Sequence, residues 1–96
     1  MQPILIGKNK LKMTIKIIKN KKIEDYQEWE VWECEKSKFD WSYSSEEHCY
    51  IIEGKALITF NQEIVTIQSG DYVIFPKNLD CNWEILSPIK KYYTFK

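Results

Sequence analysis

Ninety-six residues, 44% apolar and 15% aromatic, suffice for one core but not two, and they argue against a disordered chain. Fourteen lysines offset fourteen acidic residues and there is no arginine. No net field therefore draws in nucleic acid or anionic lipid, and the arginine forks that grip phosphate or guanine are missing.

Three widely spaced cysteines make neither a zinc pattern nor a disulfide framework. Apolar runs stop far short of the roughly 20 residues that span a bilayer. Ile4-Leu5-Ile6 is too short for a secretory signal core. A cytoplasmic protein is expected, with no nucleic-acid or membrane partner.

Residues 1–12, with Lys8, Lys10 and Lys12 ahead of a second methionine at Met13, are expected to be an N-terminal extension. The folded domain is expected over 13–96. Met13–Ile18 alternates and is β-branched, so it predicts a strand. Ile23–Trp29 has helical spacing for one or two turns, the only helix expected. Glu30–Cys34, Phe39–Tyr43 and Glu47–Ile52 predict further strands. Gly54 suggests a tight turn, since a residue without Cβ accepts positive φ, with Ala56–Phe60 running back beyond it. Ile64–Ile67, Tyr72–Phe75, Cys81–Leu86 and Ile89–Phe95 complete eight or nine short strands separated by polar or Gly/Pro corners. That rhythm is all-β, a sandwich or barrel.

Side chains alternate between the two faces of a strand. If the register holds across the corner Ser44-Ser45-Glu46, then Trp41, Tyr43, Glu47, Cys49 and Ile51 share one wall. Cys81 and Trp83 recur at the same spacing of two. Together they predict the lining of a small barrel pocket, while Trp29 and Trp32 are expected to cover a sheet face or a subunit contact.

The spacing from Glu47 to Gly54, and from Gly70 to Pro76, matches the end of the first and the start of the second cupin motif. The chain thus resembles the cupin superfamily, a single-domain jelly roll (double-stranded β-helix barrel), over residues 13–96. More narrowly, Phe39-Asp40-Trp41, Glu47-His48-Cys49-Tyr50-Ile51, Gly70-Asp71-Tyr72-Val73-Ile74-Phe75-Pro76 and Cys81-Asn82-Trp83 resemble the (S)-ureidoglycine aminohydrolase-like cupin group. The resemblance implies a metal held by three histidines and a glutamate. Here the first-motif histidine positions fall on Trp41 and Tyr43, or on Asp40 and Ser42 with the longer gap. The second-motif histidine falls on Cys81, the glycine before it on Asn78. Only Glu47 of the metal set persists. The sole histidine, His48, has the opposite parity and should point away from the pocket. No transition metal and no cofactor are expected, since such a metal needs several converging imidazole, thiolate or carboxylate donors.

Three readings remain open. The first is a metal-free module that binds a small, aromatic or cationic molecule, with Trp41, Tyr43 and Trp83 as walls, Glu47 as polar anchor, and Cys49 and Cys81 beside them. The second is a cupin-type hydrolase or isomerase of a small metabolite with Glu47 as acid or base. The third is a non-catalytic homodimer pairing exposed sheet edges. Lys90-Lys91 reads as ordinary solvated charge.

Overall fold

The computed structural model describes residues 13–21 and 28–96. The expected arm over residues 1–12 lies outside them, as do nearly all the helical turns expected over Ile23–Trp29. Seven strands form among the described residues: β1 (Lys16–Lys19), β2 (Glu30–Cys34), β3 (Ser37–Ser42), β4 (Glu47–Phe60), β5 (Glu63–Gln68), β6 (Asp71–Phe75) and β7 (Asp80–Phe95). Every pairing is antiparallel. The expected all-β jelly roll is what the chain forms.

The architecture rests on two long strands that each serve two sheets. The first half of β4 pairs β6 and the second half of β7, with β1 and β2 at the outer edges. The second half of β4 pairs β5 and the first half of β7, which also carries β3. The two halves face each other across a core of Ile51, Ile58, Ile67, Val73, Phe75 and Ile89, all fully or almost fully buried. Alternation explains the packing: β4 buries Glu47, Cys49 and Ile51, then, past its bend, Ala56, Ile58 and Phe60.

Gly54 is not a turn. It sits inside β4 at φ 97°, where the register against β7 slips repeatedly between Ile51 and Ala56. A β-bulge at a glycine bends a strand without ending it, so Ala56–Phe60 continues the strand instead of running back. Opposite it, Ser87-Pro88 does not break β7 either. The two strands cross so tightly that a Cβ on Gly54 would strike the Pro88 carbonyl oxygen and come within 2.8 Å of the Ser87 carbonyl oxygen. The turn before β6 then hooks onto this bend: the Ser69 N–H donates to Gly54 O (3.1 Å) and the Gly70 N–H to Ile51 O (2.8 Å). Asp71, buried, accepts from the Gln68 N–H at 2.9 Å and from Lys19 at 2.6 Å, holding that turn closed.

True reversals occur where polar residues take positive φ. Asn61 and Gln62, at 46° and 66°, join β4 to β5 in the two-residue manner whose twist suits a hairpin. Asn78, standing at the motif's glycine position, adopts φ 71°, a conformation asparagine tolerates better than most residues. Its N–H donates to Tyr43 O (2.7 Å), and the Tyr43 N–H donates to Leu79 O (2.9 Å). This loop thereby pins Tyr43 at the approach to β4.

Candidate functional site

A cavity of about 510 Å³ opens between the two sheets. From β2 come Trp32 and Cys34, and from β3 Phe39 and Trp41. Tyr43 and Glu47 stand at the entrance to β4, and β7 contributes Trp83 before its bend and Lys91, Tyr93 and Phe95 after it. The β7 residues beyond the bend are alternate positions, so strand parity puts them on one face. Register does the rest: Phe39 is opposite Trp83, and Trp32 is opposite Lys91. Phe39 and Trp83 stack at 6.1 Å between ring centroids with 7° between planes, and Trp32 meets Trp83 edge-on at 5.9 Å.

The polar centre of this aromatic space is an ion pair. Lys91 Nζ donates to Glu47 Oε2 at 2.8 Å, with both side chains buried. Lys91 is 5% exposed, so the solvated charge expected at this position is instead an interior ammonium. The ammonium lies 4.8 Å from the ring centroids of both Trp32 and Trp83, 5.7 Å from Tyr93 and 6.0 Å from Phe75. Those distances are within the range at which ring quadrupoles attract a cation. The other carboxylate oxygen, Glu47 Oε1, is buried and has no hydrogen-bond partner. Burial, and then the neighbouring Glu47 charge, push the Tyr43 phenol far above its ordinary pKa, so it keeps its proton at any physiological pH.

Of the residues singled out in the sequence, Trp41, Tyr43, Glu47 and Trp83 line the cavity. Trp41 is half exposed at its rim, whereas Trp83 is buried. Cys49 is fully buried in the core, and burial raises its thiol to about 12. The Cys81 thiol is turned to the Trp41 carbonyl oxygen at 3.6 Å, with its pKa raised to about 11 by burial and then by Asp80. Neither cysteine is part of the cavity wall. His48 points the other way, as its parity implies: Nδ1 meets the Tyr72 hydroxyl and Nε2 meets Glu46, each at 2.7 Å. Trp32, expected to cover a sheet face, is a cavity wall. Lys91 and Tyr93 were missed, although their parity with Ile89 could have pointed to them; Trp32 and Cys34 depend on β2 pairing β7, which no local pattern reveals.

The fold's usual divalent metal does not suit these residues. Glu47 is already neutralised by an ammonium, Tyr43 holds its proton, and the Cys81 thiol faces away. Among the described residues no three His, Cys, Asp or Glu side chains converge as a metal site. No helix among them is long and apolar enough to cross a membrane.

Sequence comparison bears on the same residues. The family model of the EutQ-like cupin domain matches residues 22–93. The chain belongs to the EutQ-like cupin domain family. Among solved structures, this cupin is similar to a DUF861 family protein from Thermotoga maritima, at 39% identity and a TM-score of 0.82, over 86% of this chain and 100% of that one. It shares its fold with the Clostridium difficile EutQ protein, at 24% identity and a TM-score of 0.61, over 68% of this chain and 52% of that one. A DUF1255 protein of unknown function from Acidithiobacillus ferrooxidans, 16% identical with a TM-score of 0.62 over 65% and 60% of the two chains, has the same fold. No match is found among curated proteins.

Proposed function

We propose that this cupin is a binding module that takes a small molecule into the cavity between its sheets without a transition metal. Trp41, Tyr43 and Trp83 serve as walls and Glu47 as the polar anchor. The observation that carries the reading is Glu47 Oε1: a buried carboxylate oxygen without a hydrogen-bond partner, on a residue that lines the aromatic cavity. A buried acceptor left unsatisfied costs free energy, and a ligand donor would recover it. The cavity's size is within the several-hundred-Å³ range of small-molecule sites, and its few polar groups among aromatic walls fit their usual character. Three unpaired thiols suit a reducing compartment such as the cytoplasm. The likeness to the (S)-ureidoglycine aminohydrolase-like group is one of motif, and the substrate of that group does not transfer with it.

A second reading is a cupin-type hydrolase or isomerase with Glu47 as acid or base. It is favoured by the two proton-bearing groups beside that carboxylate, the Lys91 ammonium and the Tyr43 phenol. The two readings separate on turnover.

Titration of 15N-labelled protein with a panel of small aromatic metabolites tests the binding reading. We expect tryptophan side-chain and Glu47 backbone signals to shift saturably, with affinity falling in Trp41→Ala, whose half-exposed ring makes it a mild substitution. Purified protein carrying stoichiometric manganese, iron, nickel or zinc would overturn the metal-free assignment. A panel that leaves every cavity signal in place would overturn binding itself.

A further inference from the structure

An aromatic cage beside a carboxylate is what an organic cation seeks, and here the protein already supplies one. We propose that Lys91 is the resident cation of this cage, and that the cavity therefore accepts an uncharged flat ring bearing an N–H and turns organic cations away. This rests on the binding reading above and specifies its ligand.

Three observations converge. The Lys91 ammonium stands 4.8 Å from the centroids of Trp32 and Trp83, occupying the faces an incoming cation would use. It also binds Glu47 Oε2 at 2.8 Å, so the pair is neutral overall. Any net charge brought beside it would be buried without a counter-charge. What remains unmet among the described residues is one buried side-chain acceptor, Glu47 Oε1. A neutral N–H donor satisfies it with no charge imbalance. A flat ring suits the open wall: Phe39 and Trp83 are stacked on each other and Trp32 stands edge-on to both, while Trp41, half exposed at the rim, has ring surface free for stacking. Among the described residues Tyr43 is a competing donor, its phenol lying close enough to Glu47 for that carboxylate's charge and hydrogen bonding to hold its proton. Were its hydroxyl to turn onto Oε1, the ligand's N–H would contribute nothing, and this too the experiment reads.

The test uses three probes of similar shape on the whole chain, followed by NMR shifts of cavity residues. Indole has the N–H, benzofuran replaces it with an ether oxygen, and phenyltrimethylammonium carries a permanent charge. In the unmodified protein we expect indole to bind, benzofuran to bind roughly 10- to 100-fold more weakly, as loss of a hydrogen bond to a charged acceptor implies, and the ammonium not to bind. In Lys91→Met the order should invert, because the cage is vacated and an organic cation can take the ammonium's place beside Glu47. Since that variant buries a lone charge, the charge-balanced Glu47→Gln/Lys91→Met pair serves beside it, and should lose the discrimination against the cation.

Equal affinity for indole and benzofuran would remove the N–H requirement and assign Oε1 to Tyr43. Ammonium binding to the unmodified protein as tight as indole binding would overturn the resident-cation assignment. In both cases cavity binding itself would survive. If none of the three probes shifts a cavity signal in the unmodified protein or the folded double variant, the binding reading falls together with this one.

Discussion

Three buried acidic side chains hold their protons more firmly in the fold than in the open chain. Burial is the first cause for each: Cys49 rises from 9.0 to about 12, Cys81 to about 11, and the Tyr43 phenol rises as well. The folded protein thus favours the neutral forms. Their contribution is fully present below the unfolded values and is lost as pH climbs from about 9 towards the folded values. From Cys49 alone the loss approaches about 1.4 kcal/mol per pH unit in that window. Urea unfolding at successive pH values should show stability falling above pH 9, and falling less steeply in Cys49→Ala. A parallel decline in the two proteins would show that the Cys49 thiol does not matter. The same argument bears on reactivity, since a thiol that keeps its proton is a poor nucleophile. Neither Cys49 nor Cys81 has the environment of a catalytic cysteine. Lys91 shows where residue-level reading of the sequence stops. Its neighbour Lys90 makes the pair look like surface charge, although Lys91 shares its strand parity with Ile89 and Tyr93. Only the tertiary partner, Glu47, makes an inward lysine tolerable.

The strands were legible because alternation and β-branching mark them wherever one face is buried, most plainly on either side of the bend in Glu47–Phe60. The boundaries at Gly54 and at Ser87-Pro88 were not. A lone glycine between two β-branched runs looks the same whether the chain reverses there or merely bends, and the deciding contact, with Pro88, is 34 residues away in sequence. The motif glycines accordingly do different jobs. Gly54 has positive φ and a carbonyl where its Cβ would be, whereas Gly70 has positive φ and open space around it. Gly54→Ala should therefore cost about 2 kcal/mol or more, combining backbone strain with a clash. Gly70→Ala should cost about 1 kcal/mol from strain alone. Chemical denaturation of the two variants checks the ordering, and equal losses would mean that the Pro88 contact yields freely.

Both sheets share β4 and β7, so neither sheet can open without disturbing the other, while among the described residues β1, β2, β3 and β5 each hydrogen-bond along one neighbour. Stability should be distributed accordingly, because strands bonded on both sides open only with the whole fold. In native-state hydrogen exchange we expect the slowest amides in β4 and the facing parts of β7, and faster exchange in the four outer strands. Uniform protection across all seven would contradict a scaffold built on two shared strands. The all-β class was readable from the rhythm of short strands, and the jelly roll through the resemblance of the Glu47–Gly54 and Gly70–Pro76 spacings to the cupin motifs. The ion pair at its centre was not, because it joins strands 44 residues apart.

The crowded crossing of Gly54 over Pro88 has one more consequence. With a carbonyl wedged where a methyl would go, the bend has no slack, so the gap between the sheets keeps its width whether or not anything occupies it. On the binding reading proposed above, a guest then finds a berth already formed among the described residues. Little ordering entropy is forfeited on capture, and encounter is governed by diffusion and fit, with no slow rearrangement of the host.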